Sequence, residues 1–330
     1  MDRNARIYVA GHRGLVGSAI LRRLEAEACP NLITRDRAAL DLTEAAAVDD
    51  FFAATRPEYA FLAAAKVGGI LANDRTPADF LRENLLIQTH VIDAAWRWGV
   101  RKLLFLGSSC IYPRECPQPI REEYLLTGPL EPTNSAYAIA KIAGIEMCAA
   151  YRRQFGFNAI ALMPTNLYGP GDNFDPHTSH VLPALIRRFH EAVSNDAPEV
   201  VLWGTGTPRR EFLHADDLAD AAVFLMRRYD EPRIINVGTG TDLTIRELAE
   251  LIARIVGFRG TIRFDASRPD GTPRKLLDVS RITALGWRPR IGLADGICRT
   301  YERFAREHTH AGAVPPRAEA RERQTVCPLR

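Results

Sequence analysis

Tyr137-Ala138-Ile139-Ala140-Lys141 carries a phenol and an ammonium at positions i and i+4, which on a helix share one face. A free phenol titrates near about 10, too high for proton transfer at neutral pH. A neighbouring cation favours the phenolate and brings the group toward that range. The same spacing occurs in ordinary amphipathic helices, so its context matters. Here it follows a strand-like run ending in Leu106-Gly107-Ser108-Ser109. Ligands of doubly wound sheets lie beyond the carboxyl ends of strands, where a serine hydroxyl can bind a reacting oxygen. Ser108, Tyr137 and Lys141 together suit hydride chemistry at a carbonyl carbon.

A cofactor for that chemistry has its own signal. Gly11-His12-Arg13-Gly14-Leu15-Val16-Gly17 follows the first apolar run and opens a helical pattern. Glycines at this spacing permit a tight turn, let the backbone approach a pyrophosphate, and let helix and sheet pack closely. Free N–H groups at the helix start then face the phosphates. Near where an acid binds the ribose of NAD stands Asp36, flanked by Arg35 and Arg37, with Arg13 inside the turn. Three guanidiniums suit a 2′-phosphate, since Arg meets phosphate oxygens bidentately. NADP is favoured, and Asp36 is the dissenting residue.

The elements that must position these groups alternate. Strand patterns over 6–10, 32–34, 59–63, 102–106 and 159–163 are separated by helical patterns over 15–27, 43–55, 78–98 and 135–155. This is the pattern of a Rossmann-type, doubly wound parallel sheet. After Pro164 come Gly- and Pro-rich turns, helices over 180–191, 216–228 and 244–256, and strands over 200–203 and 233–237. Thr244-x-x-Glu247 reads as a capping box. The expected division is a cofactor domain over 1–170 with a returning segment near 212–240, and a smaller α/β substrate domain from 171–211 and 241–314. The charged segment 315–330 reads as a poorly ordered tail.

Composition narrows the class. With 330 residues and a net charge of +3, the chain lacks the charge of a nucleic-acid binder, and no apolar run spans a bilayer. The first residues run straight into a strand pattern, leaving no room for a signal peptide. Six cysteines without zinc-like spacing fit reduced thiols in a cytoplasmic protein, and no metal cluster is expected.

The residues also support a resemblance. The glycine turn, Ser108-Ser109 and Tyr137-x-x-x-Lys141 resemble those of extended short-chain dehydrogenases/reductases. It narrows along Ala63-Ala64-Ala65-Lys66-Val67-Gly68-Gly69, Gly107-Ser108-Ser109-Cys110-Ile111-Tyr112-Pro113 and Met163-Pro164-Thr165-Asn166-Leu167-Tyr168-Gly169-Pro170. It continues through Trp203-Gly204-x-Gly206-x-Pro208-x-Arg210-Glu211-Phe212-Leu213-His214 and Pro269-Asp270-Gly271-Thr272-Pro273-Arg274-Lys275. These are similar to the family of GDP-4-keto-6-deoxy-mannose epimerase-reductases, over about residues 6 to 305.

The resemblance implies NADPH as cofactor, a GDP-linked keto-deoxy-hexose as substrate, and a homodimer. It implies Cys110 as base and His180 as acid of an epimerisation, with His177 a rival three residues earlier. Tyr137 would protonate the reduced oxygen, Ser108 would bind that oxygen, and Lys141 would tune Tyr137. The implied cofactor set adds Arg37, Asp41, Leu42, Leu106, Gly107, Ser109, Pro164, Thr165, Asn166 and Leu167 to the glycine turn, with Lys141 and His180 also in contact. For the nucleotide end, helical periodicity favours Arg187, whereas the resemblance favours Arg188, with Arg210 and Lys275. Trp203 packs on the nucleotide or sugar in this reading, or else in a core. Asp270 binds substrate hydroxyls or caps a turn. The alternative is a nucleotide-sugar 4-epimerase or dehydratase on the same frame with tightly bound NAD.

Overall fold

The structure, a computed structural model, describes residues 1–176, 178–268 and 270–309. His177 and the expected tail over 315–330 lie outside the described residues. The first half alternates as the apolar runs predict: β1 (Ile7–Ala10), α1 (Leu15–Ala26), β2 (Leu32–Ile33), α2 (Ala45–Thr55) and β3 (Tyr59–Leu62). Next come α3 (Ile70–Arg75), α4 (Pro77–Arg97), β4 (Lys102–Leu106), α5 (Ser135–Phe155) and β5 (Ala159–Pro164).

The second half contributes β6 (Asn166–Tyr168), α6 (Val181–Ser194), β7 (Glu199–Trp203), β8 (Arg209–Arg210) and β9 (Phe212–His214). Then follow α7 (Ala215–Arg228), β10 (Ile235–Val237), β11 (Leu243–Thr244), α8 (Ile245–Val256), β12 (Thr261–Asp265), β13 (Arg274–Lys275), α9 (Ser280–Ala284) and α10 (Leu293–Thr309).

Six strands pair in the order β10-β5-β4-β3-β1-β2, all parallel. Alternate residues along each strand enter different cores, because successive side chains point to opposite faces. Ile7, Val9, Phe61, Leu104 and Leu162 pack with α1 and α7 on one side. Tyr8, Ala10, Leu62, Phe105 and Met163 pack with α2, α4 and α5 on the other. Both faces being covered explains why these strands are apolar throughout. The chain leaves β1 toward β2 on one side and toward β3 on the other, which opens a crevice at their carboxyl ends.

A third core holds the remainder: α6, α8 and α10 bury Leu185, Phe189, Ile252, Ile297 and Phe304 against β7. Helix α10 has no counterpart among the sequence-based elements. Its apolar positions, Ile297, Tyr301 and Phe304, are helically spaced but sparse among charges. The α8 start forms as expected, with Thr244 accepting from Glu247 N–H at 3.0 Å and Glu247 accepting in return at 2.7 Å. One buried cation stitches the sheet to α7. Lys102 Nζ donates to the carbonyls of Leu225, Met226 and Tyr229 and pairs with Asp230 at 2.9 Å.

Candidate active site

A cavity of about 780 Å³ opens over the strand ends. Its walls come from the loops after β1 (Gly11 to Gly17), β2 (Arg35 to Arg37), β3 (Ala63 to Gly68), β4 (Leu106 to Cys110) and β5 (Pro164 to Leu167), with Tyr137, Lys141 and His180 closing it. Asp41 and Leu42 line it as well. The structure therefore brings the expected cofactor set into one crevice.

The glycine turn is built for close approach. A Cβ at Gly17 would stand 2.1 Å from the Gly11 carbonyl oxygen, so only glycine lets α1 start against the turn. A dinucleotide's phosphates fit that bare backbone and the α1 N-terminus. Asp36, the dissenting residue, is already engaged. Its carboxylate pairs with Arg13 at 2.8 Å and accepts from Ala39 N–H at 2.9 Å. Arg37 is mostly exposed and held loosely by Asp41 and Glu83, each at 3.5 Å. Arg35 instead lies over the Phe51 ring. Of the three guanidiniums, Arg37 has the loosest ties, and Arg13, held by Asp36, lines the same cavity.

Beyond β4, Ser108 caps a short 3-10 turn, accepting from Cys110 N–H at 3.2 Å, and lines the same cavity as Tyr137. Helix α5 carries Tyr137 and Lys141 on the face that meets this turn. The i, i+4 spacing predicts that Lys141 pulls the phenol down, and the structure has the opposite balance. Burial raises the Tyr137 pKa, negative charge at Cys110 adds to it, and Ser108 opposes. Burial pushes Lys141 down to about 7, and its Nζ donates to the Leu106 carbonyl at 2.8 Å. The phenol therefore rests protonated, the form needed to donate to an oxygen.

His180 is the N-cap of α6. The loop before it is pressed onto the loop after β3, where Gly69 N–H donates to Thr178 O at 2.9 Å. A Cβ at Gly69 would stand 2.8 Å from Ser179 O. His180 keeps a solvent-facing edge within a recess, and burial followed by the Lys275 charge lowers its pKa.

Strand alternation sorts the paired cations. β8 and β13 run in parallel register, Arg209 beside Arg274 and Arg210 beside Lys275. On one face Asp242 takes both Arg209 and Arg274. On the other, Arg210 is tied to the carbonyls of Arg209 and Thr272 at 2.8 and 2.6 Å, and Lys275 Nζ donates to Cys110 Sγ at 3.5 Å. Arg187 is committed to Glu191 and the Phe174 carbonyl. Arg188, exposed, donates to Val201 O on β7, the strand that ends in Trp203. Trp203 is 60% exposed, which removes the core reading, and Arg268 lies over its ring. Both Asp270 carboxylate oxygens bond Thr205, so in this state Asp270 holds the glycine turn after β7.

Two residues escaped the sequence reading. Asp172 lines the cavity, and burial pushes its pKa up to about 7. In a Gly/Asp/Asn loop it reads as a turn former. Glu211, fully buried, accepts from the N–H groups of Thr239, Gly240 and Leu277, while its carbonyl accepts from Asn166. A lone acid between strands gave no signal for such a brace.

Residues 7–238 match the family described as NAD dependent epimerase/dehydratase. The chain is 61% identical over 301 residues to GDP-L-fucose synthase 1 of Arabidopsis thaliana, covering 91% of this chain and 93% of that one. It is 56% identical over 308 residues to a GDP-L-fucose synthase of Escherichia coli (strain K12), covering 91% and 96%. The solved structure of a GDP-L-fucose synthetase from Naegleria fowleri bound to NADP is similar with a TM-score of 0.86 at 27% identity, covering 94% and 96%. The strand-end cavity, its glycine turn and these likenesses agree: the chain belongs to the NAD dependent epimerase/dehydratase family, in the branch of the GDP-L-fucose synthases.

Proposed function

We propose that this enzyme converts GDP-4-keto-6-deoxy-D-mannose to GDP-L-fucose, by epimerisation at C3 and C5 and NADPH-dependent reduction at C4. The observation that carries the reading is the convergence of Ser108, Cys110, Tyr137 and His180 on one cavity that also holds the glycine turn. A single ketone explains why one site suffices. C3 and C5 both flank the C4 carbonyl, so either C–H bond is acidified, and the same carbonyl then accepts a hydride.

Each inversion needs a base on one face and an acid on the other. Cys110 takes the ring proton, the electron pair moves onto the C4 oxygen, and His180 returns a proton from the opposite side. Ser108 hydrogen-bonds the C4 oxygen throughout. Bound NADPH supplies the hydride to C4. Tyr137 then gives its phenolic proton to the resulting alkoxide, which its raised pKa prepares it to do. Lys141 loses its hold on the Leu106 carbonyl to bind the nicotinamide ribose and stabilise the phenolate left behind. Arg13 and Arg37 receive the adenosine 2′-phosphate. Arg188 and Arg210 receive the nucleotide diphosphate and Trp203 packs against the nucleotide or sugar, with Asp270 released from Thr205 or serving as the brace of that turn.

The chain lacks, among its described residues, any helix long and apolar enough to cross a membrane. Free thiols at Cys29, Cys110, Cys116 and Cys148 suit the cytoplasm. A homodimer would form on the outward stripe of α5, where Ile139, Ala143, Met147 and Ala150 recur at helical spacing.

The test is turnover of GDP-4-keto-6-deoxy-D-mannose in deuterated solvent, with NADPH and NADH side by side. Expected are stoichiometric loss of the nicotinamide absorbance with NADPH, weaker use of NADH, and deuterium at C3 and C5 of the product. Conversion without net consumption of NADPH would overturn the reading.

A further inference from the structure

Lys275 stands beside Cys110, the residue read as the base of the epimerisation. Its ammonium donates to Cys110 Sγ at 3.5 Å, and its charge also reaches His180. Its neighbours Arg209 and Arg274 are neutralised by Asp242 across the sheet, whereas no carboxylate among the described residues pairs with Lys275. Strand register fixes this placement. Lys275 lies beside Arg210, on the face of β13 opposite Arg274.

We propose that Lys275 is a positioning residue of the epimerisation, whose ammonium holds the Cys110 sulfur as the anion and aims it at the C–H bond beside the ketone. This rests on the function proposed above. A thiolate, not a thiol, is the working base, and a neighbouring lysine favours it. The other groups that face Cys110 do not supply this contact. Arg210, from β8, contributes charge, but its NH1 is committed to two carbonyl oxygens. Ser108 accepts from the Cys110 backbone rather than meeting its sulfur. Tyr137, from α5, is disfavoured as phenolate by negative charge at Cys110, so the two do not ionise together. His180, from α6, shares the Lys275 charge.

The same ammonium acts usefully on both partners. It contacts the sulfur of the base, and after burial it is the second cause that lowers the pKa of His180, which makes the imidazolium a readier donor. Protons balance. Each inversion leaves Cys110 as thiol and His180 as neutral imidazole, and both exchange with solvent before the next one.

The experiment uses the full chain with NADP bound and compares wild type, Lys275→Met and Lys275→Arg. Alkylation of Cys110 by iodoacetamide is followed by peptide mass spectrometry across pH, beside deuterium wash-in at C3 and C5 with saturating GDP-4-keto-6-deoxy-D-mannose. The expected result is that Lys275→Met slows both by about tenfold near neutral pH, moves the labelling profile to higher pH, and leaves NADPH affinity unchanged. Lys275→Arg should restore part of each. A purely diphosphate-binding role predicts a raised KM with normal labelling and normal wash-in at saturation, and that outcome overturns the proposal.

Wild type alone provides a second arm should the Met variant fail to fold. Cys110 labelling must reach half its maximal rate below the pH of about 8.5 at which a free thiol titrates, and a midpoint at or above that value sinks the idea. If wild type performs no exchange on the keto-sugar, the proposed function fails, while labelling still judges the Lys275–Cys110 pairing.

Discussion

Burial drives the two ends of the Tyr137–Lys141 pair apart, raising the phenol and pushing the ammonium down to about 7. For Lys141 the folded value lies below the unfolded one of 10.5. Between those values the unfolded chain binds more protons, so this residue makes stability rise with pH. Urea unfolding at about pH 7.5 and about pH 9 should therefore show wild type gaining on Lys141→Met as pH rises. Parallel curves for the two proteins would refute that. The pairing of Tyr137 with Lys141 was legible from its i, i+4 spacing, and so was Ser108 from its place at a strand end. The direction of the shifts was not, because spacing reports proximity and says nothing of how much water each group keeps. Asp36 teaches the same lesson. Its neighbours in sequence suggested a contest over the ribose, and only the fold shows Arg13 closing on it.

Elements with a strong local code were readable, and those fixed by distant partners were not. α5 appears over the expected residues, and α8 starts at its capping box. That box carries a prediction of its own. Thr244→Ala removes an N-cap acceptor and should cost about 1 kcal/mol in denaturant unfolding while leaving NADPH binding unchanged. A loss of cofactor affinity would mean that α8 supports the cavity more directly than its packing indicates. By contrast, β8 and β13 are two residues long and exist because each pairs with a strand far away in sequence. Nothing local announces them, yet their alternation decides which of four cations face Cys110 and which face Asp242. α6 was expected to begin at residue 180. It begins at Val181, because His180 serves as cap and so stays at the cavity rim.

At the scale of the whole molecule, the parallel sheet followed from strand–helix alternation, whereas its order and the return of β10 beside β5 are long-range facts. The proposed dimer is a statement at this scale too. An isologous contact uses the same patch on both subunits, residue i meeting j and j meeting i, so one substitution changes the interface twice. Sedimentation of wild type should give a dimer, and Ile139→Glu, placing charge on the 50% exposed Ile139, should give monomers at the same concentration. A monomeric wild type would remove α5 from that role. Glu211 has a consequence of another kind. Its carboxylate grips the loop after β10, in the cofactor sheet, and Leu277, just past β13, while its carbonyl holds Asn166. The six-stranded sheet and the strand pair β8–β13 are thus held to each other by one fully buried residue. Damage there would not separate reduction from epimerisation. Both would fade together, so in an inheritance of single changes Glu211 would look catalytic without ever meeting the sugar.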